Sequence, residues 1–307
     1  MTEAKQKVVV TGGAGFIGSH LVEALIEKGF QVDVIDNLVA GKREQVDARA
    51  VLHVVDIRDL DAILPIIDGA FAVFHLAALP SVPYSIENPK ETHEVNVTGT
   101  LNILLASARG KVKRVIYSSS SAVYGDQTVL PICEDARGEP KSPYGLHKRM
   151  GEEYMALFAE LYGVETVSLR YFNLYGPRQK SEGAYASVVA KFIACHNADE
   201  SLPIVGDGTQ TRDFVHVSDV VRANISAMES EQAGSGEVVN IGGGVGLSVL
   251  EVARLVGGKM ENTPPRVEIR DSVADIKRAQ KLLGWSPSVK VEDGINILLR
   301  SNLNKKI

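Results

Sequence analysis

Apolar and polar positions fall into two rhythms along the first half of the chain. Short, nearly continuous apolar runs occupy residues 7–10, 31–35, 51–55, 71–76, 114–117 and 166–170. Between them lie amphipathic stretches with helical spacing, at 16–28, 60–67, 91–108 and 144–162. Apolar strands alternating with amphipathic helices predict a doubly wound, mostly parallel α/β sheet covered on both faces. Ligands of such sheets bind beyond the carboxyl ends of the strands. Asp36, Asp56, the Ala77-Ala78 turn, Ser118 to Ser121 and Asn173 stand at those ends.

The rhythm changes after Phe172. Gly176-Pro177-Arg178-Gln179 interrupts it, and 206–209 reads as a turn. Residues 214–217 and 238–241 read as strands, and 219–228, 248–256, 274–283 and 291–303 as helices. The pattern therefore divides the chain into a main domain over 1–172 and a smaller α/β lobe over 173–307, some of whose segments rejoin the main sheet. With 307 residues, 45% of them hydrophobic and 23% charged, the chain has enough apolar mass for a large core. A net charge of −5 argues against non-specific nucleic-acid binding, which needs a basic face. No apolar run reaches the length of a membrane-spanning helix, and the first seven residues are polar, without a signal core. The two cysteines, Cys133 and Cys195, lie far apart without metal-like spacing. No disulfide framework and no metal are expected, and a reducing cytoplasm fits.

Chemistry enters with Thr11-Gly12-Gly13-Ala14-Gly15-Phe16-Ile17-Gly18, which joins the first strand to the first helix. Glycines here permit a tight turn, a close approach of backbone to a pyrophosphate, and a helix seated near the strand. The first helix then directs free N–H groups and its positive dipole end at the phosphates. Asp36 ends the next strand, 18 residues after Gly18, where a carboxylate meets adenosine ribose hydroxyls. An acid there repels a 2′-phosphate and so favours NAD over NADP. Lys42 and Arg43 are the competing candidates for a 2′-phosphate contact.

Tyr144 and Lys148 stand four residues apart, on one helix face. Ser142 and Pro143 supply the helix cap and first turn. A free tyrosine has a pKa of about 10. An adjacent ammonium and a positively charged nicotinamide would lower it by about 1–3 units, towards acid–base use. Ser118 to Ser121 follow a central strand, where hydroxyls can bond a substrate oxygen.

Together the glycine loop, Asp36-Asn37, Asp56-Ile57, Asn96, the serine run, Tyr144-x-x-x-Lys148 and Arg170-Tyr171-Phe172-Asn173 resemble the extended short-chain dehydrogenase/reductases. Within these, the chain most resembles the UDP-hexose 4-epimerases, over nearly its whole length. The resemblance implies a Rossmann domain holding NAD through Gly12, Gly15, Phe16, Ile17 and Gly18. Asp36 and Asn37 would hold the adenosine ribose, Asp56 and Ile57 would frame the adenine, and Leu76, Ala77 and Ala78 would pass the pyrophosphate. Asn96 would support the cofactor side, and Ser118 and Tyr171 would complete its contacts. Lys148 would bond the nicotinamide ribose and tune Tyr144. Ser120 would bond the sugar 4-oxygen, with Ser119 as a neighbouring contact. Asn173, Arg212 and Arg266 would hold the diphosphate of a UDP-sugar. A homodimer is also implied.

The implied mechanism has Tyr144 take the 4-hydroxyl proton while C4 gives hydride to NAD. The 4-keto sugar turns about its link to the diphosphate, and hydride and proton return. Related dehydratases and decarboxylases place a carboxylate just before the tyrosine of the strand-end loop. Ser121, Ala122 and Val123 stand there instead, which favours epimerisation. Ser272 matches the position that gates the sugar pocket, where a small residue admits a 2-acetamido group and a tyrosine does not. The Arg266–Ser272 spacing is one residue shorter than usual for the family, and an exposed helix-cap serine is the competing reading. UDP-glucuronate 4-epimerases tend to carry threonine where this chain has Asn173, and they form the alternative. A non-enzymatic NAD-sensing regulator would typically lack the tyrosine–lysine pair.

Overall fold

The computed structural model describes residues 5–181, 187–265 and 270–303. Seven strands form one parallel sheet: β1 (Lys7–Thr11), β2 (Gln31–Ile35), β3 (Val51–His53), β4 (Ala72–His75), β5 (Arg114–Ser120), β6 (Glu165–Tyr171) and a later strand, Ser235–Ile241. Their spatial order places β1 between β4 and β2, with β3 at one edge and the late strand at the other, beside β6. Strand alternation sends Val8 and Val10 to one face and Val9 to the other. The first face packs on α1 (Phe16–Glu27) and a helix at Val217–Glu229. The second packs on α2 (Leu60–Ile67) and on a helical run between 82 and 162.

That run holds α3 (Val82–Glu87), α4 (Pro89–His93), a π-helical turn (Glu94–Thr98), α5 (Gly99–Arg109) and α6 (Pro143–Tyr162). The sequence predicts an uninterrupted helix over 91–108. The π turn arises at Asn96, whose buried side chain is bonded to the Leu79 backbone, and at Thr100, which donates to the Asn96 carbonyl. α6 forms where the sequence places it. The Ser142 side chain accepts from Gly145 N–H, Pro143 opens the first turn, and Gly163 closes the helix in the left-handed region.

Beyond residue 172 come β7 (Asn173–Tyr175), α7 (Val188–Asn197), β8 (Leu202–Val205), β9 (Thr211–His216), α8 (Val217–Glu229), β10 (Ser235–Ile241, the seventh sheet strand), β11 (Gly246–Ser248), α9 (Val249–Val256), β12 (Met260–Thr263), β13 (Asp271–Ser272), α10 (Lys277–Leu283) and α11 (Val291–Leu303). β9 pairs with β7, β11 and β13, so a second small sheet continues off the carboxyl end of β6. α10 starts at Lys277 rather than near Ala274. Ala274 and Asp275 are held instead in a bridge to Ile132. Among the described residues no helix is long and apolar enough to cross a membrane.

Candidate active site

The glycine turn sits at the carboxyl end of β1. Gly12 has φ +71, and a Cβ there would lie 2.8 Å from Ala77 N, so this turn and the one after β4 touch backbone to backbone. At Gly18 a Cβ would fall 2.2 Å from the Gly12 carbonyl oxygen, which keeps α1 tight against the turn. Side chains of Asp59, Ser81, Ser142, Ser187 and Ser248 cap other helices, whereas α1 starts at Gly15 with no side-chain cap. Gly12, Gly15, Phe16 and Ile17 stay half-buried while their neighbours Gly13, Ala14 and Gly18 are buried. This cradle of uncapped N–H groups beside Leu76, Ala77 and Ala78 suits a pyrophosphate.

Asp36 closes one side of the cradle. Its carboxylate accepts from Ala14 N–H at 3.0 Å and from Leu38 N–H at 2.8 Å. Asn37 donates to Asp56 at 3.0 Å. The Arg58 guanidinium and the Asn37 amide hold the Asp56 carboxyl down at about 2. Ile57 lies buried beneath, its carbonyl accepting from Asn102. Asn96 reaches the other rim, exchanging hydrogen bonds with both backbone groups of Leu79 and so fixing the segment after β4. Hydrogen bonds and close backbone approaches therefore link these residues at the carboxyl ends of β1, β2, β3 and β4.

Tyr144, Lys148 and Ser120 meet where β5 passes under α6. β5 extends through Ser120, so Ser118 to Ser120 are strand residues rather than loop residues. Ser120 bonds the Tyr144 hydroxyl, favouring phenolate, yet burial dominates and pushes the phenol up to about 12. Lys148 donates to the Ser118 carbonyl at 2.6 Å, with its Nζ 5.9 Å from the Tyr144 ring centroid. Burial brings this amine down to about 7, against the pull of Glu152. The expectation that the ammonium lowers the phenol is thus not met by the chain's own groups. Desolvation outweighs a charge that is turned to a carbonyl.

The other serines and Tyr171 have different surroundings. Ser119 donates to Glu152, which also receives two hydrogen bonds from Arg170, at 2.8 and 2.7 Å. Its hydroxyl is thus engaged in a buried ion pair. Tyr171 packs in the core with its hydroxyl bonded to Asn224 of α8. Ser118 lies beside Tyr171 and favours its ionised form, against a larger upward push from burial.

The diphosphate-side candidates converge on the small sheet. Asn173 follows directly from β6 and donates to the Asp213 carbonyl at 3.1 Å. Arg212 and Ser272 are partners in the β9–β13 pair, and Arg212 donates to the Thr211 and Arg270 carbonyls. Ser272 is buried in a strand, so it is not the exposed helix cap of the competing reading. Arg266 lies outside the described residues.

Sequence reasoning missed several residues around this site. Glu152 continues the Tyr144–Lys148 face by another turn, a spacing that was visible. Asp213 carried no such signal. Its buried carboxylate accepts from the N–H groups of Gly243, Gly244 and Ala274, from two distant segments, and burial raises it to about 6. His75 is read from the sequence as a packed core residue, and it is one. Thr100 gives its proton to the Asn96 carbonyl, so it accepts from His75 Nε2–H. Thr11 accepts from Ala77 N–H and donates to Nδ1.

The sequence pattern of the NAD dependent epimerase/dehydratase family matches residues 8–242. A solved UDP-glucose 4-epimerase from Thermotoga maritima, in complex with UDP-glucose, is 39% identical and superimposes with a TM-score of 0.94, covering 98% of this chain and 100% of that one. A UDP-N-acetylglucosamine 4-epimerase from Methanobrevibacter ruminantium, in complex with UDP-N-acetylmuramic acid, is 35% identical with a TM-score of 0.93, covering 98% and 99%. A UDP-N-acetyl-alpha-D-glucosaminuronate decarboxylase from Bacillus cytotoxicus is 36% identical over 313 residues, 95% of this chain and 96% of that protein.

Proposed function

Because this chain belongs to the NAD dependent epimerase/dehydratase family, we propose that it inverts C4 of UDP-hexoses, interconverting UDP-glucose with UDP-galactose and UDP-N-acetylglucosamine with UDP-N-acetylgalactosamine. The observation that carries the reading is the turn after Ser120. Ser121–Val123 bring no ionisable side chain beside Tyr144. The nearby buried carboxylates are engaged elsewhere, Glu152 with Arg170, and Glu134 with the Asn240 N–H and Arg278. Among the described residues, such a site can move the proton of one hydroxyl but has no free second acid–base group beside Tyr144 of the kind elimination requires.

NAD, when bound, supplies reversible hydride exchange at the sugar carbon. The glycine cradle and Asp36 would hold its pyrophosphate and adenosine ribose. Tyr144 takes the proton from the 4-hydroxyl and later returns it. Ser120 shares a hydrogen bond with that phenol and can bond the sugar oxygen. Lys148, as the ammonium, opposes the upward push of burial on Tyr144. Asn173 and Arg212 anchor the diphosphate while the sugar, met by small hydroxyls, stays free to turn. Buried, small Ser272 beside Arg212 supports room for a 2-acetamido group.

Purified protein is incubated with each UDP-hexose, each UDP-N-acetylhexosamine and UDP-glucuronate, without added cofactor, and products are separated. Appearance of the C4 epimers of the first two classes is expected. Turnover of UDP-glucuronate alone would move the assignment to a uronate epimerase. Tyr144→Phe should cut turnover by about 10²–10⁴-fold while UDP still binds, and full activity in that variant refutes the mechanism. Ser272→Tyr should lose the acetylated substrates and keep the others.

A further inference from the structure

We propose that the ring of Tyr117 is a positioning residue for Lys148, holding its ammonium over the aromatic face between β5 and α6. Lys148 Nζ stands 4.8 Å from the Tyr117 ring centroid, nearer than to the Tyr144 ring at 5.9 Å. A cation within about 6 Å of a ring face is attracted by its quadrupole, most strongly where water is excluded. Tyr117 is only 1% exposed and Lys148 only 3%. The Tyr117 hydroxyl is poorly satisfied: it makes no hydrogen bond of good geometry among the described residues and has only Thr100 nearby. A buried hydroxyl so weakly satisfied contributes little to stability, which leaves the ring as the part of the side chain that meets Lys148. Neighbours lock that ring in place. His75 stacks on it at 5.6 Å, and α6 presents Gly151, where a Cβ would fall 2.4 Å from the hydroxyl.

The groups facing Lys148 are few. α6 brings Tyr144, His147 and Glu152, β5 brings Tyr117 and the Ser118 carbonyl, and β4 brings His75. His75 and His147 are both held neutral by burial near pH 7, at about 3 and about 4. The Glu152 carboxylate is shared with the guanidinium of Arg170. The Tyr117 ring thus joins the Ser118 carbonyl and Glu152 in supporting the charged lysine against burial, which brings it down to about 7.

This inference rests on the proposed role of Lys148 as tuning partner of Tyr144, but its test does not require turnover. The NAD-saturated protein is labelled with ¹³C at the lysine ε-carbons, the Lys148 signal is assigned by its loss in Lys148→Met, and its titration is followed by NMR. Tyr117→Phe keeps the ring face and should leave the titration in place. Replacement of Tyr117 by phenylalanines bearing one, two and three fluorines changes the quadrupole with little change in shape. Each fluorine should lower the Lys148 titration further, reaching about one pH unit, or tenfold in proton affinity, for the trifluoro ring. Coincident titrations across the series overturn the proposal, whether or not the melting temperature moves. Failure of the parent protein to epimerise any UDP-hexose would defeat the functional assignment and leave this measurement still decisive for Tyr117.

Discussion

At the scale of single residues, burial sets the charge states of the site. His75 is 1% exposed and satisfied at both ring nitrogens as the neutral tautomer. Burial brings it from 6.5 down to about 3. The neutral ring therefore contributes its full stability above pH 6.5, and this contribution is lost as pH falls towards 3, because the unfolded chain binds the proton first. Between pH 7 and pH 5 the parent should lose about 2 kcal/mol of unfolding free energy relative to a His75→Gln variant, measured by urea denaturation. Parallel pH profiles for the two proteins would show that His75 does not titrate this way. Tyr144 follows the same logic with the opposite sign of charge. Its place on the helix was legible from four-residue spacing, but the balance between burial and Lys148 depends on where the amine points, which spacing does not contain.

At the scale of elements, the strand–turn–helix unit of β1 and α1 was fully legible, because glycine is the only residue that meets both of its constraints. A Cβ at Gly18 would stand 2.2 Å from the Gly12 oxygen and 2.7 Å from Gly13 Cα. Gly18→Ala must push α1 off the turn, an overpacking strain of about 1–3 kcal/mol. NAD affinity should fall by about tenfold or more, read by titration of cofactor-free protein. Unchanged NAD affinity would mean that the cradle is not where the pyrophosphate sits. The helical run after β4 was legible only in part. Its apolar spacing identifies a helix, but the π turn at Glu94–Thr98 follows from the contacts of Asn96 and Thr100 with other segments. Likewise the serine run ends a strand rather than forming a loop, because β6 offers a pairing edge as far as Tyr171 opposite Ser120.

At the scale of the whole molecule, one carboxylate joins the two sheets. Asp213 on β9 binds Gly243 and Gly244, just after β10 of the main sheet, and Ala274, just after β13. Its carbonyl also holds Asn173. Asp213→Ala would strand the buried Ala274 N–H, at about 1–3 kcal/mol, together with the half-buried N–H groups of Gly243 and Gly244. Under the proposed function it should weaken UDP-sugar binding while leaving NAD binding, at the β1–α1 turn, near its parent value. Calorimetry with each ligand compares the two, and equal losses would refute this division of labour. The sequence by itself determined the layered α/β architecture, the dinucleotide turn and the Tyr144–Lys148 face, because these depend on periodicity and on residues a few positions apart. Only the tertiary structure decided that Ser119 serves an ion pair, that Tyr171 faces α8, that Ser272 pairs with Arg212, and that Asp213 binds two distant segments. Those outcomes depend on contacts between residues tens to hundreds of positions apart, and on how deeply each group is removed from water.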